Sequence, residues 1–237
     1  MTSKSESIKL FLNENKSSYI KPDVTCGDLL RLQRDFYNKH FRFFRITETL
    51  VYDLIKHYYT SQGRVNNDGN QAHLLLNKKY KGALSYNGKV RNQELDISLA
   101  DGSDHIYLGI SIKLSSENSN SYFDGADFCN PLLIEDYRHI SIPNEERFIR
   151  LIETKKKIYV DPILQDMARI RNLQVAQKSN FPSLTIVYDP SVSKDDYWKD
   201  EFSHKFNHRY IFLGDFENQS FMSILEDKLP LLKKLRQ

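Results

Sequence analysis

Two short runs with strand-like alternation carry the most reactive grouping in the chain. In residues 94–100, Leu95, Ile97 and Leu99 fall on one face and Glu94, Asp96 and Ser98 on the other. In residues 106–114, Ile110, Ile112 and Leu114 oppose Gly109, Ser111 and Lys113. The intervening Asp101-Gly102-Ser103-Asp104 has turn composition. It predicts an antiparallel hairpin whose polar faces meet, with Asp96 beside Ser111 and Lys113. A carboxylate supplies the hard oxygen that a cation such as Mg²⁺ prefers, the remaining ligands being water and phosphate. An ammonium beside it steadies developing negative charge or helps position an attacking water. Metal-assisted cleavage of a phosphodiester needs this combination. The plainer reading of the same residues is an Asp96–Lys113 cross-strand ion pair on a solvated sheet face.

Leu95-Asp96, a turn, and then Gly109-Ile110-Ser111-Ile112-Lys113, with a helix carrying Glu48 ahead of them, resemble the PD-(D/E)XK nuclease superfamily over residues 47–189. The resemblance implies a restriction-endonuclease-like core, a mixed central β-sheet flanked by α-helices. It makes Asp96 the metal-binding acid, Lys113 the catalytic lysine and Glu48 the acid from the first core helix. Leu95 stands where the family often has proline, and Ser111 stands where the second acid would be. Some restriction enzymes with Ser-x-Lys draw that acid from a later segment. Asp127 lies at such a distance past Lys113, with Asp124, Glu117 and the in-strand Glu94 as competitors. The implied activity is that of a type II restriction endonuclease cutting double-stranded DNA with Mg²⁺, or Mn²⁺ in its place, as a homodimer. The rivals are a repair or recombination nuclease and a catalytically inactive DNA-binding module or partner subunit.

The elements that must position these residues are also legible. Thr25 and Asp28 resemble a capping pair ahead of Leu29, Leu30, Leu32 and Phe36. Leu50, Val51, Leu54, Ile55 and Tyr58 have helical spacing within 47–59, with Glu48 at the edge of the stripe. Asn87-Gly88 predicts a hairpin turn between residues 83–86 and 89–91. Asn130-Pro131 and Asp161-Pro162 are helix starts, and Ile163, Leu164, Met167, Ile170 and Leu173 give the second helix a core face. Residues 184–188 and 209–213 read as strands, and 221–229 as a closing helix ended near Pro230. This order predicts one α/β domain over 1–237, with a helical extension over 1–45, the core over 46–190, and a C-terminal strand and helix over 191–237.

Composition narrows the classes. With 40% apolar and 27% charged residues among 237, the chain can bury a core and is not disordered throughout. The net charge of +3 does not by itself demand a polyanion. The basic clusters Lys78, Lys79 and Lys81, Lys155 to Lys157, and Lys233, Lys234 and Arg236 are solvated faces unless a nuclease site recruits them. In that case Lys78, Lys79, Lys81, Arg169 and Arg171 suit phosphate contacts. Cys26 and Cys129 fit neither a disulfide framework nor a zinc site, so a reducing, cytoplasmic setting is expected. No stretch is long and apolar enough for a membrane span, and the first 16 residues lack a signal-like apolar region. His204 and His208, four apart, lack a third metal ligand at helical spacing.

Overall fold

The computed structural model describes residues 4–21, 23–39, 45–59, 62–64, 71–84, 90–113, 122–123, 158–159, 162–188 and 207–235. The chain opens with helices α1 (Lys4–Glu14), α2 (Lys16–Tyr19), α3 (Cys26–Lys39) and α4 (Arg45–Tyr58). Strands β1 (Gln62–Arg64), β2 (Gln71–Leu84), β3 (Val90–Asp101) and β4 (Ile106–Lys113) follow. A small pair, β5 (Tyr122–Phe123) and β6 (Ile158–Tyr159), precedes α5 (Pro162–Gln177). Strands β7 (Ser183–Val187) and β8 (His208–Phe212) and helix α6 (Phe221–Lys228) complete the main elements, with a closing 3-10 turn at Pro230–Leu235.

Among the described residues one sheet has the order β1-β2-β3-β4-β7-β8. The first four strands are antiparallel, while β4, β7 and β8 are mutually parallel. The architecture is therefore mixed α/β, as predicted. The parallel step from β4 to β7 needs a crossover, and α5 lies within it, packed on β2, β4, β7 and β8. The other face meets the remaining helices. Phe11, Leu29, Leu54, Ile97, Ile110, Ile186, Ile211 and Leu225 all belong to one buried cluster there. From the N-terminal helices, Phe11, Leu12, Tyr19 and Leu29 belong to this same cluster with residues of the sheet and of α6.

Local chemistry explains the element ends. Thr25 and Asp28 form a reciprocal capping box: Thr25 N–H donates to Asp28 Oδ2 at 3.0 Å, and Asp28 N–H to Thr25 Oγ1 at 3.1 Å. Gly27 is required by close approach, since its N–H donates to the Glu217 carbonyl at 2.9 Å and a Cβ there would lie 2.9 Å from that oxygen. The β3–β4 turn is organised by Asp101. Its Oδ1 accepts from Ser103 N–H at 2.9 Å and His105 N–H at 3.1 Å, and its Oδ2 from Tyr107 Oη at 2.9 Å. Beyond the turn the register shifts between Leu99 and Ala100 and then pairs Ser98↔Gly109 and Ile97↔Ile110.

Strand β2 runs much farther than the sequence indicates, because residues 71–82 carry three lysines and no clean alternation. His208 begins a strand, so it shares no helix face with His204, which lies outside the described residues. The Asn87-Gly88 turn, the Asn130-Pro131 start and the Asp161 cap also lie outside them. Among the described residues no helix is long and apolar enough to cross a membrane.

Candidate active site beneath helix α5

Small and polar residues make up much of the sheet face under α5. Gly109, Ser111 and Lys113 come from β4, Ser183 and Thr185 from β7, and His208 from β8; the registers Gly109↔Ser183, Ser111↔Thr185 and Ser183↔His208 place them side by side. Helix α5 is fastened over this face by its amide side chains. Asn172 Oδ1 accepts from Ala83 N–H at 2.6 Å, where a register shift frees that group from the β2–β3 ladder. Gln177 accepts from Ile106 N–H at 2.9 Å and donates to the Asp104 carbonyl at 2.8 Å. Gln174 donates to the Phe181 carbonyl at 3.0 Å. Ile170, Leu173, Tyr80, Leu95, Ala100, Ile106 and Phe181 form a second, smaller core beside these bonds.

Leu95 belongs to this second core, whereas Ile97 and Leu99 belong to the main one. The expected alternation of Leu95, Ile97 and Leu99 on one face therefore fails at Asp96. The cause lies on the neighbouring strand. Asn77, between the paired positions Leu76↔Ile97 and Lys78↔Leu95, has φ 52°, in the left-handed region that interrupts a regular pleat. The kink leaves Asp96 half-buried, with Oδ2 accepting from Ile112 N–H at 2.6 Å.

Lys113 reaches under α5 and not across to Asp96. Its Nζ lies 2.9 Å from Asp166 Oδ1, and Asp166 is fully buried. Arg169, one turn on, lies 3.6 Å from the same oxygen, and Thr185 Oγ1 donates to Asp166 Oδ2 at 3.3 Å. The plainer alternative, an Asp96–Lys113 ion pair on a solvated face, is not what forms: Lys113 pairs with Asp166 beneath α5. Asp96 still feels these groups. Burial pushes its carboxyl up, Lys113 pulls it down, Asp166 pushes it up again, and the Ile112 N–H and Arg169 pull it down, leaving it at about 6.

Asp166 was not singled out in the sequence reading, although a signal exists. It stands between Ile163 and Ile170 on the apolar stripe of α5, where a charge is costly to bury without partners. Ser111 is buried, opposite Thr185. Glu48 is half-buried in the first turn of α4, the helix that packs on β2 and β3. Glu94 sits 3.7 Å from Lys79, its register partner, and Lys78 3.3 Å from Asp104. Lys81 is exposed and Arg171 half-buried. Asp127, Asp124 and Glu117 lie outside the described residues.

Among the described residues no group of three or more His, Cys, Asp or Glu is placed to hold a metal ion. Asp96 is nevertheless suited to a hard cation, because Oδ2 takes one backbone N–H and Oδ1 makes no hydrogen bond among the described residues. Asp166 is fully buried, its Oδ2 accepting from Thr185 while Oδ1 lies at ion-pair distance from Lys113 and accepts no hydrogen bond among the described residues. No protein-family model matches the chain, nor does any curated protein or solved structure.

Proposed function

We propose that the protein is a Mg²⁺-dependent endonuclease that hydrolyses phosphodiester bonds in double-stranded DNA, with a restriction-endonuclease-like core and the type II kind of activity. One observation carries the reading. Asp96, on β3 beside the left-handed Asn77 of β2, and Lys113, at the end of the adjacent antiparallel β4, lie close enough for the lysine charge to act on the Asp96 carboxyl. The three-strand antiparallel run β2-β3-β4, followed through α5 by parallel β7 and β8, supports the same assignment.

In this mechanism Asp96 would hold the cation through Oδ1, with Asp127 as the proposed second acid. Glu94 is less suited because Lys79 sits against it. The cation, Mg²⁺ or Mn²⁺ in its place, supplies Lewis acidity and offsets charge at the phosphate. Lys113 presents an ammonium to the phosphate oxygens and donates to the attacking water, orienting it in line with the leaving oxygen. Lys78, Lys79, Lys81, Arg169 and Arg171 contribute phosphate contacts, Lys78, Lys79 and Arg169 exchanging their acidic neighbours for DNA to do so. Cleavage of both strands requires two such sites, which a homodimer provides.

A second reading is favoured by the Lys113–Asp166 pair itself together with Ser111: a DNA-binding module in which the lysine has become a structural brace. Incubating long mixed-sequence DNA with the protein and Mg²⁺ separates the two. The nuclease reading expects discrete fragments, absent with chelator and reduced by orders of magnitude in Asp96→Asn. A smear points to a nuclease without site preference, and a mobility shift with no cutting in Mg²⁺ or Mn²⁺ to the binding module.

A further inference from the structure

We propose that Asp166 is the positioning residue for Lys113, held in place by a directional chain of buried hydrogen bonds through Thr185, His208 and Ser183. What the lysine does there rests on the nuclease reading; the tether itself does not.

The direction follows from counting protons. A carboxylate only accepts, so the Thr185 hydroxyl must spend its single proton on Asp166 Oδ2. Its oxygen then accepts from His208 Nε2, 3.0 Å away, which places the ring proton on Nε2. His208 Nδ1 is left as an acceptor and takes the Ser183 hydroxyl proton at 2.8 Å. Ser183, Thr185 and His208 are all buried, so water does not compete for these bonds. A neutral imidazole is what this chain needs. Burial pushes His208 down to about 4, against the pull of Asp166 and with the help of Arg209.

The chain ends on a carboxylate whose other oxygen meets Lys113 Nζ at 2.9 Å. The pairing Ser111↔Thr185 puts the tether one strand from β4 and two residues before the lysine. A lysine stem is flexible and loses rotamer freedom when it is held, so an ammonium that must meet one phosphate geometry gains from a fixed counter-charge. Asp166 Oδ1 accepts no hydrogen bond among the described residues and has Lys113 and Arg169 as its counter-charges, so the lysine is what compensates this buried oxygen.

The test compares Thr185→Val, which keeps volume and loses the hydroxyl, with Thr185→Ser, which keeps the hydroxyl and loses the methyl. Two readouts are used: steady-state DNA cleavage in Mg²⁺, and acylation of Lys113 by an N-hydroxysuccinimide ester, measured by mass spectrometry against exposed Lys56. The tether predicts that Thr185→Val lowers kcat by roughly tenfold with KM unchanged and raises Lys113 acylation several-fold. Thr185→Ser stays at wild-type values in both. Asp166→Asn, also of conserved volume, gives the same split as Thr185→Val and stands in for it if that variant does not fold. Wild-type kcat and acylation in Thr185→Val overturn the proposal. So does a Thr185→Ser variant as impaired as Thr185→Val, because that pattern marks packing. If the wild type cuts no DNA in Mg²⁺ or Mn²⁺, the nuclease reading fails and acylation alone decides the tether: a rise in Thr185→Val supports it, and no change overturns it.

Discussion

Asp101 shows how one carboxylate can hold the turn between two strands of a site it does not enter. It gathers two backbone N–H groups, a serine hydroxyl and a tyrosine hydroxyl at the β3–β4 turn, which joins the strands that carry Asp96 and Ile112. Burial raises its carboxyl, but Ser103, His105 and Tyr107 together outweigh that and hold it at about 2. An unfolded aspartate titrates near ~3.9. The folded value is the lower one, so the contribution to stability is complete above that range and is lost as pH falls toward 2. Asp101→Asn is expected to cost roughly 1–2 kcal/mol at neutral pH in urea melts, with the gap from wild type closing in acid. A gap independent of pH would show that shape, and not charge, holds the turn. The Asp101 turn was legible from composition alone, as was the Thr25–Asp28 cap, because both depend on neighbours within six residues. Asp166 was not, since its partners lie on β4 and β7 and only the folded sheet assembles them.

At the scale of elements, the kink at Asn77 and Asp96 separates a plain strand from one that presents a carboxylate beside a helix. Alternation read from the sequence assumes an unbroken pleat, and it gave Leu95 the wrong face because the residue that breaks the pleat sits on another strand. Asparagine and glycine tolerate the left-handed region, while a β-branched residue does not. Asn77→Gly is therefore expected to keep fold and activity. Asn77→Val should lose about 1–3 kcal/mol and, by straightening β2, turn Asp96 away from Lys113, so that cleavage falls more than the stability change explains. Equal cleavage by the two variants at a temperature where both are folded would separate the kink from the site. Helix α5 was placed correctly from its Pro162 start and apolar spacing, yet its function as a roof rests on Asn172, Gln174 and Gln177, whose amides have no periodic signature.

Over the whole molecule, the two faces of the sheet divide the work. One meets the N- and C-terminal helices in a continuous apolar core reaching from Phe11 to Leu235. The other gives up apolar burial around α5 to accommodate a polar network that ends at Lys113. The α/β class and most of the element order were readable because periodicity reports local structure. The packing of the N-terminal helices into the main core was not, because it depends on contacts more than 150 residues apart, such as the hydrogen bonds from Gly27 N–H to the Glu217 carbonyl at 2.9 Å and from Phe221 N–H to the Val24 carbonyl at 2.9 Å. A polar network this deep is costly unless every member is paired, and its convergence on one lysine is the reason to place chemistry there. The central claim is that Lys113 serves cleavage and not merely the fold. Single-turnover cleavage of DNA in Mg²⁺ by wild type and Lys113→Ala, with binding measured on the same samples, tests it most directly. The account predicts a loss of at least about a thousandfold in the cleavage rate with DNA affinity within a few-fold of wild type. Cleavage at the wild-type rate by a folded Lys113→Ala protein would contradict it.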